Sequence, residues 1–321
     1  MKKHFYLDNF NLDLPLTDFS LEQLYSNPIL FTSHSREFFY KKNMLYTEKI
    51  IQAIRDKAPV VHIKSVCKKY YEISTPYSGK VEINKLKDLV LQMFGTIGVM
   101  DNFPILYKDE NENIIRAVAP RIDSYHERSS QSPYTDLDWH VDAAYRPIMK
   151  KNQLSPMPDY LIFGIVHKGH ENLPIIYVTL KDILSQLNGE DIAIGLSPEF
   201  SVLSADSFAN RIVTKDIALL VKDDNYLFHS RITLQNAKPQ TARAAYFLQK
   251  IKSILTQPII QNRVNVEAGD IVILNNKTTL HKRDSYQPKW DGKDRYFIRV
   301  YSVKDLNQGI CTDSEKQWEW C

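Results

Sequence analysis

Glycine is scarce in this sequence, ten in 321 residues. None falls in a Gly-x-Gly-x-x-Gly or Gly-x-x-x-x-Gly-Lys pattern, so the loops whose backbone N–H groups cradle phosphate have no support. Cysteine is scarcer: Cys67, Cys311 and Cys321 are odd in number and scattered. They lack zinc-type spacing and suit a reducing compartment. An excess of either charge is missing too. Lys and Arg number 41 against 38 Asp and Glu, a net +3 with no basic run. That is too mild to argue for a nucleic-acid or membrane partner. No apolar stretch approaches the roughly 20 residues of a membrane span. The basic start is not followed by a continuous apolar region, so no signal peptide is expected and a cytoplasmic location is. Low-complexity segments, repeats and linker-like stretches are also absent, and a single domain over residues 1–321 is expected.

What is present is an ordinary globular composition, 43% hydrophobic and 25% charged. SLEQLYSNPILF, opened by a Ser N-cap, predicts a short helix. MLYTEKIIQAIRDKAP has apolar residues at helical spacing and stops at Pro59. VVHIKSV is β-branched and alternating, a strand pattern. EINKLKDLVLQMFG predicts an amphipathic helix ending at Gly95. PDYLIFGIVHKG reads as a buried strand. IIYVTLKDILSQLNGEDIAIGL reads as a strand running into a helix, with Thr179 and Asp182 as a capping pair. TARAAYFLQKIKSILTQ is a further amphipathic helix, and RVNVEAGDIVILNN and RYFIRVYSV are strands. Strands outnumber helices in the second half and the helices fall irregularly, which argues against βαβ alternation. The expected class is mainly β with flanking helices, around an antiparallel core.

The stretch DLDWHVDAAY, residues 136–145, places His140 and Asp142 two apart. On a strand that spacing points both side chains to one face, where an imidazole and a carboxylate can share a metal. Alone, the pair is weak evidence and reads more readily as a histidine satisfied by its neighbouring aspartate. A third ligand is offered by His281, just beyond the apolar run IVIL. Arg295 follows 14 residues later. Two histidines and one carboxylate with open positions form the facial triad of non-haem Fe(II) oxygenases. A bidentate 2-oxo acid and O2 take those positions, and an always-charged forked Arg suits the far carboxylate of the acid.

Three stretches, HERSSQSPYTDLDWHVDAAY, MPDYLIFGIVHKG and ILNNKTTLHKRDSYQPKWDGKDRYFIRVYSV, resemble the clavaminate synthase-like branch of the taurine dioxygenase superfamily. That branch includes asparagine oxygenases and arginine and lysine hydroxylases. The resemblance covers about residues 55–305. It implies a double-stranded β-helix (jelly-roll) core. It also implies hydroxylation of a free amino acid or close derivative, at Cβ or a nearby unactivated carbon, with Fe(II), 2-oxoglutarate and O2, releasing succinate and CO2. By resemblance, His140, Asp142 and His281 are the iron ligands and Arg295 holds 2-oxoglutarate. Arg299 meets the substrate's α-carboxylate, Ser129 and Ser130 bind its head group, and Glu127 its α-amino group. Asp142 replaces the Glu of many members; a halogenase would have Gly or Ala there. HENLPIIYV offers no threonine for a contact the family makes to 2-oxoglutarate. The segment YLFHSRITLQNAKPQ carries His229, Ser230 and Arg231 where relatives with basic substrates have acids. It therefore predicts a neutral polar or anionic substrate side chain, with Arg231 in the pocket.

Alternatives are desaturation or cyclisation at the same iron site, a non-amino-acid carboxylate as substrate, or a jelly-roll protein that binds metal without turnover. His167 and His170 are read as structural, Arg283 and Asp284 as an internal pair, and Trp139 as core. The segment RPIMKKNQLSPMP is expected to form a lid. The tail SEKQWEWC, with two Trp, is read as a partner contact or a disordered end.

Overall fold

Tyr160–His167 and Tyr296–Val303 are buried along their whole length, the mark of strands covered on both faces. They pair antiparallel at the centre of an eight-stranded sheet in the computed structural model. The structure describes residues 5–10, 21–42, 44–65, 69–110, 113–124, 127, 129–148, 155–206, 211–223, 227–311 and 313–321. The sheet runs Phe5–Phe10, Val60–Ser65, Ile271–Asn275, Tyr160–His167, Tyr296–Val303, Phe103–Tyr107 and Glu319–Trp320, with Arg116–Val118 also on Tyr296–Val303. A four-stranded antiparallel sheet runs Asn262–Val264, Ile175–Thr179, Thr279–Arg283 and Leu137–His140.

Side-chain alternation along the central strands sorts the core into two layers. Leu161, Phe163, Ile165, Phe297, Tyr301 and Val303 pack with Tyr177, Val178 and Leu280 of the smaller sheet. Tyr160, Ile162, Val166, Tyr296, Ile298 and Val300 pack with the helix Lys87–Val99. The result is helices, large sheet and small sheet in three layers, mainly β as expected. No helix among the described residues is long and apolar enough to cross a membrane.

Three expectations need correction. The predicted short first helix is two, Leu21–Ser26 and Pro28–Lys42. Asn27 restarts the chain, its Oδ1 accepting from Leu30 N at 2.9 Å, with Pro28 at the first helical position; Ser20 lies outside the described residues. The helix Lys87–Val99 passes straight through Gly95. A Cβ there would sit 2.9 Å from Phe39 Cβ, and one at Gly98 would sit 2.6 Å from Arg36 Cβ. These glycines serve close helix packing, not termination. The tail is docked: Glu319–Trp320 pairs in parallel with Phe103–Tyr107, and Trp318 and Trp320 are buried. The capping pair is observed, Asp182 N donating to Thr179 Oγ1 at 3.2 Å.

Candidate metal centre

The ladder between Thr279–Arg283 and Leu137–His140 sets His281 directly opposite His140. Their ring centroids lie 4.2 Å apart. Asp142 follows just past the strand end. Its Oδ1 stands 3.3 Å from His140 Nε2 and 3.6 Å from His281 Nε2, and the three donor atoms lie within 4.8 Å of one another. His140 Nδ1 is 2.7 Å from Asp138 O. A carbonyl can only accept, so Nδ1 carries a proton toward it and Nε2 is the ring atom turned inward.

Charge states at the centre follow from burial. Desolvation, with His140 nearby, pushes the His281 imidazole down to about 3, so it is neutral at pH 7. Burial pushes the Asp142 carboxyl up, but Arg299 and the two imidazoles more than offset this and hold it well below the usual carboxylate range. Two imidazoles and a buried carboxylate thus converge on one point. That donor set fits a divalent cation of the two-histidine, one-carboxylate class.

Arg299 donates to Asp142 Oδ2 at 2.7 Å and to Glu110 Oε2 at 3.2 Å. Its guanidinium stacks 3.8 Å over the Tyr301 ring. The cavity at the triad is lined by Arg299, Glu110, Arg116, Ser129 and Ser130, and also by Thr233, Gln235 and Asn236. The two serines and Arg299 are therefore brought to the cavity at the triad.

Glu127 is not: it pairs with Arg121 at 2.7 Å and lies outside the cavity lining. The acid inside is Glu110, which the sequence hides in the polar stretch YKDENEN. Arg231 is a second correction. It is buried, and its guanidinium donates to Ala144 O at 2.9 Å and to Arg146 O, so it braces the chain after Asp142 and lines no part of the cavity. His229 pairs with Asp223 at 3.5 Å in a separate groove, and Ser230 Oγ accepts from Ile232 N. The segment reaches the cavity through Thr233, Gln235 and Asn236 instead.

Arg295 stands just before the strand Tyr296–Val303 and opens onto a small crevice beside Gly169 and Tyr286, not onto the triad cavity. It is buried and stacks 3.8 Å from Phe297, and its Nε has no hydrogen-bond partner. Among the described residues no carboxylate pairs with it, and burial pushes it down to about 10.

His167 bonds to Ile73 O and His170 pairs with Asp291 at 3.0 Å. Asp294, beside them, spends both oxygens on Lys289 N, Trp290 N and Tyr77 Oη, so this cluster is structural. Trp139 packs in the core. Arg283 does not pair with the Asp284 side chain. It donates to Ser132 O and Thr135 O, at 2.5 and 3.0 Å, while Asp284 pairs with Lys282. Of the expected lid, residues 149–154 lie outside the described residues.

Residues 214–301 match the family described as taurine catabolism dioxygenase TauD, TfdA family. Clavaminate synthase 2 of Streptomyces clavuligerus is 25% identical over 189 residues, 57% of this chain and 54% of that protein. L-asparagine oxygenase of Streptomyces coelicolor is 25% identical over 129 residues, 40% of this chain and 38% of that protein. The matched part thus spans about half or less of these relatives. The likeness in fold extends further. Asparagine oxygenase in complex with Fe(II), 2S,3S-3-hydroxyasparagine and succinate superposes with a TM-score of 0.78 at 15% identity, covering 99% of both chains. The non-haem iron oxygenase OrfP with Fe and alpha-ketoglutaric acid gives 0.74 at 16% identity, covering 97% of this chain and 98% of that one.

Proposed function

We propose that this chain is an Fe(II)- and 2-oxoglutarate-dependent hydroxylase of a free amino acid or close derivative, a single domain built on a double-stranded β-helix. The observation that carries the reading is the convergence of His140, Asp142 and His281, whose ligand atoms lie within 4.8 Å of one another. The relatives named above, a clavaminate synthase and oxygenases by description, support it.

His140, Asp142 and His281 would hold the iron. When bound, iron with 2-oxoglutarate and O2 supplies the oxidising power for hydroxylation, with release of succinate and CO2. Arg299 keeps Asp142 ionised and aimed inward. Arg295, a buried cation lacking a carboxylate partner among the described residues, would take the far carboxylate of 2-oxoglutarate. An amino-acid head group would find both charges in this lining: Arg299 and Arg116 for the carboxylate, Glu110 for the ammonium, and Ser129 and Ser130 as hydroxyl partners. The rest of the polar lining, Thr233, Gln235 and Asn236, is uncharged. With Glu110 on the head group, that lining favours a neutral hydrogen-bonding side chain over Lys or Arg, whose charge would be buried unpaired. With Arg231 turned away, nothing among those three residues selects an anionic one.

Oxygen uptake with Fe(II), 2-oxoglutarate and each of the common amino acids tests this, with product analysis to separate hydroxylation from desaturation or cyclisation. The expected result is 2-oxoglutarate-dependent uptake strongest with an asparagine- or glutamine-like substrate, lost in His140→Ala and His281→Ala and kept in His170→Ala. Wild-type turnover in His281→Ala would refute the ligand assignment.

A further inference from the structure

Asp142 is the one member of the triad that no strand holds. Leu137–His140 ends two residues before it, and Ala143, next along, adopts the left-handed conformation with φ of 58°. A non-glycine residue in that region does not hold a turn by itself. The backbone of Asp142 is instead held by one side chain. Asp142 N donates to Asn276 Oδ1 at 2.8 Å, and Asn276 Nδ2 donates to Asp142 O and to Pro158 O, each at 3.1 Å.

From this geometry we infer that Asn276 is a positioning residue for the carboxylate arm of the metal centre, an inference that rests on the triad reading above. Asn276 is fully buried, and its own N–H donates to Asp159 O at 2.9 Å. It sits in the turn between Ile271–Asn275 and Thr279–Arg283, five residues ahead of His281. The turn that delivers one ligand therefore grips the backbone of another, fixing the spacing between them. The same grip on Pro158 O ties the far end of the 146–158 segment to Asp142.

The chemistry of the side chain is specific to the task. A primary carboxamide puts an acceptor and a two-hydrogen donor in one plane. The reverse amide orientation would set NH2 against the Asp142 N–H and oxygen against two carbonyls, so the assignment is fixed by its partners. Asp at this position keeps the acceptor but turns a second oxygen toward the carbonyls of Asp142 and Pro158. Ala removes all three bonds. Arg299 acts on the carboxylate from the other side, so backbone and side chain of Asp142 are constrained separately.

The test is anaerobic Co(II) binding to the full chain, read by calorimetry and by the visible absorption of the bound ion, for wild type, Asn276→Ala, Asn276→Asp and Asp142→Ala. Both Asn276 variants are expected to bind about tenfold to a hundredfold more weakly, as for partners that orient a ligand, and to show altered band shape. A merely structural residue would lower the melting temperature while leaving affinity and spectrum unchanged, and that result overturns the inference. If Asn276→Ala does not fold, exchange of the Asp142 amide in the wild-type protein decides. It is expected to be protected, and exchange at the rate of an open loop amide overturns the inference. Equal Co(II) binding by wild type and Asp142→Ala instead sinks the triad reading itself, and the inference with it.

Discussion

Arg295 is a cation stacked on a phenylalanine and closed off from solvent, with no carboxylate beside it among the described residues. A buried unpaired charge destabilises a fold, and an apolar replacement of similar volume is often stabilising. Arg295→Met should therefore raise the melting temperature of the protein without 2-oxoglutarate. It should also raise the apparent 2-oxoglutarate constant at least about tenfold, since a charge-assisted pair of this kind is worth on the order of 2–5 kcal/mol. Thermal shift with and without 2-oxoglutarate checks both; equal stabilisation of wild type and variant would reassign the residue. His281 gives a pH prediction. It stays neutral in the fold down to about pH 3, whereas an unfolded histidine takes up a proton near pH 6.5. Between these values the unfolded state binds more protons, so stability rises with pH across the window and is flat for this group above it. His167 and His229, lowered by burial, act in the same direction. The urea midpoint of metal-free protein should fall from pH 6.5 to pH 4, and less steeply in His281→Gln. At this scale the sequence revealed the residue types: His140 and Asp142 do converge, although the strand ends at His140 and alternation does not reach Asp142. It hid Glu110, which stands among other acids in the polar stretch YKDENEN, and Asn276, whose role is a contact to a residue 134 positions away. It misplaced Arg231 because residues 231–236 are irregular, a single bridge at Thr233 followed by a turn at 234–236, and alternation there does not say which side chains point inward.

Glycine in a helix is ordinarily a cost of about 1 kcal/mol relative to alanine, and the helix Lys87–Val99 contains two. Propensity alone says that Gly98→Ala stabilises. The packing says the reverse, because the added methyl would meet Arg36 Cβ at 2.6 Å and Thr32 O at 2.9 Å, the latter a backbone atom that cannot swing away. A loss of about 1–3 kcal/mol is expected, the usual range for overpacking, measured by urea denaturation against an alanine substitution at half-buried Lys87 as the control for propensity. A gain in stability would mean that Pro28–Lys42 does not pack as closely as described. The same elements show why helix ends are hard to read from sequence. A glycine that stops a helix and one that lets a neighbour approach look identical until the neighbour is known.

At the scale of the molecule, the antiparallel core was legible from β-branched and aromatic runs, but the order of strands was not, since pairing joins residues far apart in the chain. The tail is the clearest case. Its two tryptophans read as exposed because the preceding segment is polar, yet Trp320 fills a slot over Gly309, where any Cβ would lie 2.0 Å from the indole. Trp320 also lies 6.0 Å from the Tyr107 ring. Trp320→Ala should cost about 3–5 kcal/mol, as for a large buried aromatic, seen as a lowered urea midpoint. An unchanged midpoint would show the tail to be undocked in solution. Arg146 links this end to the centre: it donates to Cys321 O at 2.7 Å, stacks 3.7 Å over Tyr107 and pairs with Asp109, only a few residues beyond Asp142. That arrangement has a consequence in time. Residues 318–321 leave the ribosome long after Phe103–Tyr107 and the Asp142 loop have emerged. Throughout that interval the strand Phe103–Tyr107 is an uncovered sheet edge, the kind that pairs with other chains, and Arg146 lacks its carbonyl partner. The nascent protein is thus prone to aggregate until residues 318–321 emerge, and a chaperone that shields this edge would matter most in that interval.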